Sequence, residues 1–105
     1  MIIKIDIANK RARVEGDPVI ICGNSDYSVA FAFDADWSDL AEKKARFLWE
    51  TPAGVQHVDV VITGNTAAVP VLSGVTEVLV GVFGGNLRAT TPARIPCDYS
   101  VQCIL

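Results

Sequence analysis

The sequence predicts an all-β protein, a two-sheet antiparallel β-sandwich with one short helical turn near residues 36–43. Three observations carry this. Apolar residues recur at every second position in segment after segment, the period of a strand with one buried side. Gly, Pro, Asn and Asp punctuate these segments at short intervals, and only Asp34 to Lys44 has any helical character. The segments amount to about eight short strands, the pattern of a sandwich or a small barrel. The sandwich is preferred, because one-sided strands bury that side against a second layer about 10 Å away.

Taken in order, Ile3, Ile5 and Ile7 alternate with Lys4 and Asp6, Asn9 breaks the run, and Ala12 and Val14 alternate with charged residues. That predicts a hairpin. Gly16-Asp17-Pro18 turns the chain into the apolar run Val19 to Cys22, which Gly23 to Asp26 ends. Tyr27, Val29, Phe31 and Phe33 form the cleanest alternation and are expected at the centre of the core. Ser38 is placed as the cap of the helical turn, with Trp37 folding the loop onto the sandwich.

Ala45, Phe47 and Trp49 share a face of the next strand, and Thr51 to Gly54 turns it into Val55 to Ile62, where Val58, Val60 and Ile62 form an apolar face. Gly64-Asn65 is a tight turn into Ala67 to Leu72. Val78, Val80 and Val82 point inward from the strand after Thr76, and Gly84-Gly85-Asn86 closes a hairpin towards Arg88. Gly81, Gly84 and Gly85 are read as turn glycines. Pro92 and Pro96 lack a ladder donor, so Thr91 to Cys97 is expected on an edge or out of the sheet. Tyr27, Phe31, Phe33, Phe47, Trp49 and Phe83 are assigned to the space between the sheets.

At 105 residues the chain is long enough for one core. The sandwich is assigned to 1–97, and 98–105 to a C-terminal tail that adds a strand to its own sheet or to a neighbour's. Half of the residues are hydrophobic and mean hydropathy is +0.34, which predicts that a partner covers part of the surface. A net charge of −3 with nine basic residues gives no footprint for a nucleic-acid backbone. No membrane partner is expected, since nothing approaches the about 20 apolar residues of a spanning helix. Lys4 and Asp6 interrupt the first apolar run, so no signal peptide is expected, and three cysteines fit a cytoplasm better than a disulfide framework.

Motifs for chemistry are sparse, and no catalytic, metal or cofactor residue is assigned. His57, the only histidine, shares a face with Asp59 and reads as solvent-exposed. With Cys22, Cys97 and Cys103 it has no metal-ligand spacing, and no base or oxyanion motif accompanies a cysteine. Asp34, Asp36 and Asp39 invite a calcium reading, but without a glycine-centred loop they are better taken as solvated loop acids. Arg88 and Arg94 flank Thr90-Thr91-Pro92 and pair with carboxylates either at a subunit contact or locally, two readings of equal standing.

Gly23-Asn24-Ser25-Asp26-Tyr27 running into Phe31 to Trp37, Ala45-Arg46-Phe47, Gly81 to Arg88 and the string Thr90 to Cys97 together resemble a family of small virion proteins of bacteriophages and prophages. The resemblance covers nearly the whole chain, and the last string is its most specific part. It implies similarity to the immunoglobulin-like N-terminal domains of baseplate and fibre proteins. It also implies a non-enzymatic role in a baseplate, tail or head fibre, assembled in the host bacterial cytoplasm, with other virion proteins and identical copies as partners. The family pattern runs on past the proline-cysteine string, whereas this sequence stops at Leu105, so no receptor-binding tip is expected in it. Candidate partner contacts are Arg88, Arg94, Tyr99, Val101 and Ile104. The alternative reading is a module that binds carbohydrate or a cell surface through Trp37 or Trp49.

Overall fold

Ile3, Ile5 and Ile7 point one way along strand β1 (Ile2–Ala8) and are buried, while Lys4 and Asp6 stay exposed. A computed structural model of the chain describes residues 1–85 and 88–98, and every regular element but one is a strand. Asn9 and Lys10, with φ of 53° and 60°, make the two-residue turn into β2 (Arg11–Val14). The chain then forms β3 (Ile20–Ile21) and β4 (Ser28–Phe33), and a 3-10 turn (Ala35–Trp37) precedes the long hairpin of β5 (Lys44–Thr51) and β6 (Gly54–Val61). Gly64 and Asn65, with φ of 58° and 62°, turn it into β7 (Thr66–Ala68). The last strands are β8 (Glu77–Gly84), β9 (Arg88–Ala89) and β10 (Ala93–Asp98).

Two sheets result. One has the order β2-β1-β4-β7; the other has six strands, five of them in the order β3-β10-β8-β5-β6, with β9 paired to the end of β8. Ile3, Ile5, Val29 and Phe31 from the first meet Phe47, Val78, Val80 and Ile95 from the second in a single core. This is the sandwich that the alternation predicts. The two sheets are tied along one side, where Thr91 N–H donates to the Lys10 carbonyl (3.0 Å) and Ala12 N–H to the Thr91 carbonyl (3.3 Å). Asp98, assigned to the tail, belongs to the sheet: its carbonyl accepts from Cys22 N–H at 2.8 Å.

Both sheets are mixed rather than antiparallel. β4 runs parallel to β1, with Ile3 beside Val29 and Ile5 beside Phe31, and β3 runs parallel to β10. The cause is the connection after β2, which visits the second sheet as β3 before β4 starts beside Met1. Nor is the segment after Pro92 an edge, since β10 lies between β8 and the short β3. Cys97 N–H donates to Thr76 O, so the alternate nitrogen of Pro96 faces the other way, ahead of the first β3 partner at Cys97. The proline interrupts no ladder bond there.

The loop from Asp34 to Glu42 differs in its cap and in what it covers. Asp34, not Ser38, caps the 3-10 turn, and the Ser38 hydroxyl closes its far end by donating to the Ala35 carbonyl at 2.9 Å. Trp37 is 1% exposed and packs beside Phe33, at 5.9 Å between ring centroids. Gly81 and Gly84 lie within β8, and only Gly85 adopts a positive φ, 59°. Gly84 faces inward, where a Cβ would stand 2.8 Å from Leu40 Cδ1 and 3.2 Å from the Glu42 carbonyl. Its missing side chain is what lets the loop close over the sandwich. Phe83, assigned to the core, has the opposite parity to Val82 and lies on the outer face under Arg46.

Gly84→Ala is therefore expected to lower unfolding stability by about 1–3 kcal/mol through overpacking. Urea unfolding measures it, and an unchanged midpoint would show that the loop does not rest on that glycine.

Candidate interaction surface

The β5–β6 hairpin puts its even β5 residues and odd β6 residues on the outside of the wide sheet. Arg46 stands opposite Asp59, Leu48 opposite His57 and Lys44 opposite Val61. β8 continues this outer face with Leu79 beside Leu48, and Gly81 beside Arg46. Gly81, lacking a side chain, leaves a hollow of about 260 Å³ between Leu48, Phe83 and Pro92. A second hollow of about 140 Å³ lies where β5 and β6 run past the start of β8, lined by Leu48, Trp49, Val55 and Leu79. The outer face thus carries an apolar strip with shallow relief.

Arg46 organises the charge on that face. Its guanidinium grips Asp59 through two bonds of 2.7 and 3.0 Å and lies 4.8 Å from the centre of the Phe83 ring. Hydrogen bonding to Arg46 holds the Asp59 carboxyl below the usual carboxylate range, and the same bond raises Arg46. His57 stands beside Asp59 on the exposed outer face, as the strand parity predicts.

At the edge, β6 pairs with β5 alone among the described residues. Its two faces are almost entirely exposed, with Val55 61%, Val61 52% and Val58 37% accessible. Val60 and Ile62 of the expected apolar face are half-buried against the core, so that face is covered only towards its end. Val55 and Val61 share the parity of His57 and Asp59, so exposed valines stand on both sides of the strand, a feature legible in the sequence.

The arginines have local partners. Arg88 donates to both oxygens of Asp39, one at 3.1 Å, and to the Asp36 carbonyl at 2.8 Å, which fastens the loop over the sandwich. Arg94 pairs with Glu77 at 3.0 Å on the outer face of β10 and β8. Tyr99, Val101 and Ile104 lie outside the described residues. The three loop acids are each engaged separately: Asp34 accepts from Asn9 N–H at 2.9 Å, Asp36 meets Lys10 at 3.6 Å, and Asp39 holds Arg88. Among the described residues no three His, Cys, Asp or Glu side chains converge as a metal site. Cys22 and Cys97 are buried beside each other, and burial first, then Cys22, pushes the Cys97 thiol up to about 12. Trp37 is too deep to stack on a ligand, whereas Trp49 is half-buried beside the smaller hollow.

Comparison with protein-family models, curated proteins and solved structures finds no match.

Because Asp59 is depressed in the folded state, its contribution is present above the ordinary carboxylate pKa and lost as pH falls through the lower folded value. Arg46→Leu is accordingly expected to lose stability less steeply than the parent on acidification below about pH 4. Thermal midpoints across that range check it, and identical slopes would remove the pair from the account. Asp39 with Arg88 keeps a residual slope in both proteins.

Proposed function

We propose that the protein is a non-enzymatic structural component of a bacteriophage particle, in the baseplate, tail or a head fibre, that works by joining other virion proteins and copies of itself. The observation that carries the assembly role is the eight-residue strand β6, unpaired along one side among the described residues and with exposed valines on both faces. Unpaired strand edges attract further strands, and proteins that stay apart blunt them with lysine, proline or bulges. β6 has no lysine or proline, and its register with β5 is unbroken from Gly54 to Val61. The outer strip of Leu48, Leu79 and Phe83 continues the apolar surface inward from that edge.

The virion setting is supported by the resemblance of Gly23 to Tyr27, Gly81 to Arg88 and Thr90 to Cys97 to small phage structural proteins. The sandwich suits the role, being a rigid body with no moving part needed for attachment. Contact would draw on apolar burial, about 25 cal/mol per Å², and on main-chain bonds along the edge. Arg94 and Glu77 lie on the same outer face and would orient a partner there.

The test is composition of the particle. Phage particles released from a strain carrying the gene, banded by density and analysed by quantitative mass spectrometry, are expected to contain the chain at a fixed copy number. Recovery only from the particle-free lysate would overturn the reading.

A further inference from the structure

The backbone of β6 fixes how a second strand can join it. Ile62 N–H donates to the Lys43 carbonyl at 2.9 Å, so by alternation the N–H and C=O groups of Val60, Val58 and Gln56 also turn towards β5. Those of Val55, His57, Asp59 and Val61 turn away, to the side on which no described strand pairs. An antiparallel partner must match outward groups with outward groups.

We infer that the partner on this edge is a second copy of the same chain, its β6 antiparallel to the first, with the two-fold axis passing beside Val58. This deepens the assembly reading and rests on it. In that register His57 of each copy faces Asp59 of the other, Val55 faces Val61, and the two Val58 residues face each other. Imidazole meets carboxylate and valine meets valine. Moving the axis by one residue towards the hairpin turn sets His57 against His57 and Val55 against Asp59. Moving it the other way sets Asp59 against Asp59, a like-charge pair that destabilises a ladder.

The Val58 register is the one that satisfies both the charges and the apolar residues. It also keeps each Asp59 in reach of its own Arg46, which stands opposite it on β5 on the same face. Because the axis stands perpendicular to the sheet, both outer faces stay on one side. The two wide sheets become one, and the Leu48 and Leu79 strips of both copies lie on a common surface.

The test is site-specific cross-linking in full-length protein carrying Cys103→Ser. Opposite residues of a non-hydrogen-bonded antiparallel pair lie about 4.5 Å apart at Cα, within the roughly 4.4–6.8 Å a disulfide spans. With oxidised glutathione, Val58→Cys is expected to form a covalent dimer linked through position 58 of both copies, mapped by mass spectrometry. Gln56→Cys alone should stay uncrosslinked, while a mixture of Gln56→Cys and Val60→Cys should link 56 to 60. Self-linking of Gln56→Cys, or no link at Val58→Cys, would overturn the register.

His57→Pro supplies a second measurement, since its N–H faces outward and its loss breaks no bond to β5. This variant is expected to sediment as a monomer at concentrations where the parent is a dimer, with a thermal midpoint close to that of the parent diluted to a monomer. A parent that sediments as a monomer at all concentrations overturns self-pairing while leaving the assembly role to the particle composition, which reads it independently.

Discussion

Alternate side chains of the strands have to be shared between two layers, and the layers are unequal. Among the described residues six strands lie against four, and the β5–β6 hairpin runs past the start of β8 at one end. Where the layers overlap, the core closes fully, with Phe47, Val78, Val80 and Ile95 excluded from water. Where they do not, β6 keeps its pairing to β5 but is covered on one face only, and only near Val60. The exposed valines of β6 follow from that mismatch.

The other long side of the molecule is closed by different means. Thr91 exchanges backbone bonds with Lys10 and Ala12, and Thr90 accepts from Val82 N–H through its hydroxyl at 3.0 Å, so the bend before β10 stitches one sheet to the other. At the end near Gly84, the Asp34 to Glu42 loop is held by its own acids. Asp34 reaches back to Asn9, Asp39 binds Arg88, and Trp37 fills the space beneath. What looks in the sequence like a cluster of ligands is a set of separate fastenings, two to the turn between β1 and β2 and one to β9. Trp37 Nε1 is buried without a hydrogen-bond partner among the described residues, a cost the ring's packing outweighs.

The period of two was legible throughout, because it is a local property of each strand. Ile3, Ile5 and Ile7, Val29 and Phe31, and the valines of β8 all face inward as the spacing requires. Turns marked by Asn9 and Gly64-Asn65 were equally local. Strand direction and neighbours were not, since they depend on where a connection crosses. The parallel pairing of β1 with β4 turns on the detour through β3, which two residues can hardly announce. Pro96 suggested an edge because a proline's position relative to the ladder is invisible until its register is known. Phe83 misleads for a different reason: its volume suits the core, while its parity with Leu79 points outward. At the candidate surface, Arg88 and Arg94 were visible as charges, but their partners Asp39 and Glu77 are distant in sequence or set by register.

The open side of β6 is the claim on which the interaction surface stands, and amide hydrogen exchange resolved by residue measures it directly. In dilute protein, the amides of Gln56, Val58 and Val60 should exchange slowly and those of His57, Asp59 and Val61 fast. Raising the concentration should slow the second set alone. Protection of both sets in dilute monomer, or rapid exchange of both at every concentration, would contradict an edge that is ordered on one side and free on the other.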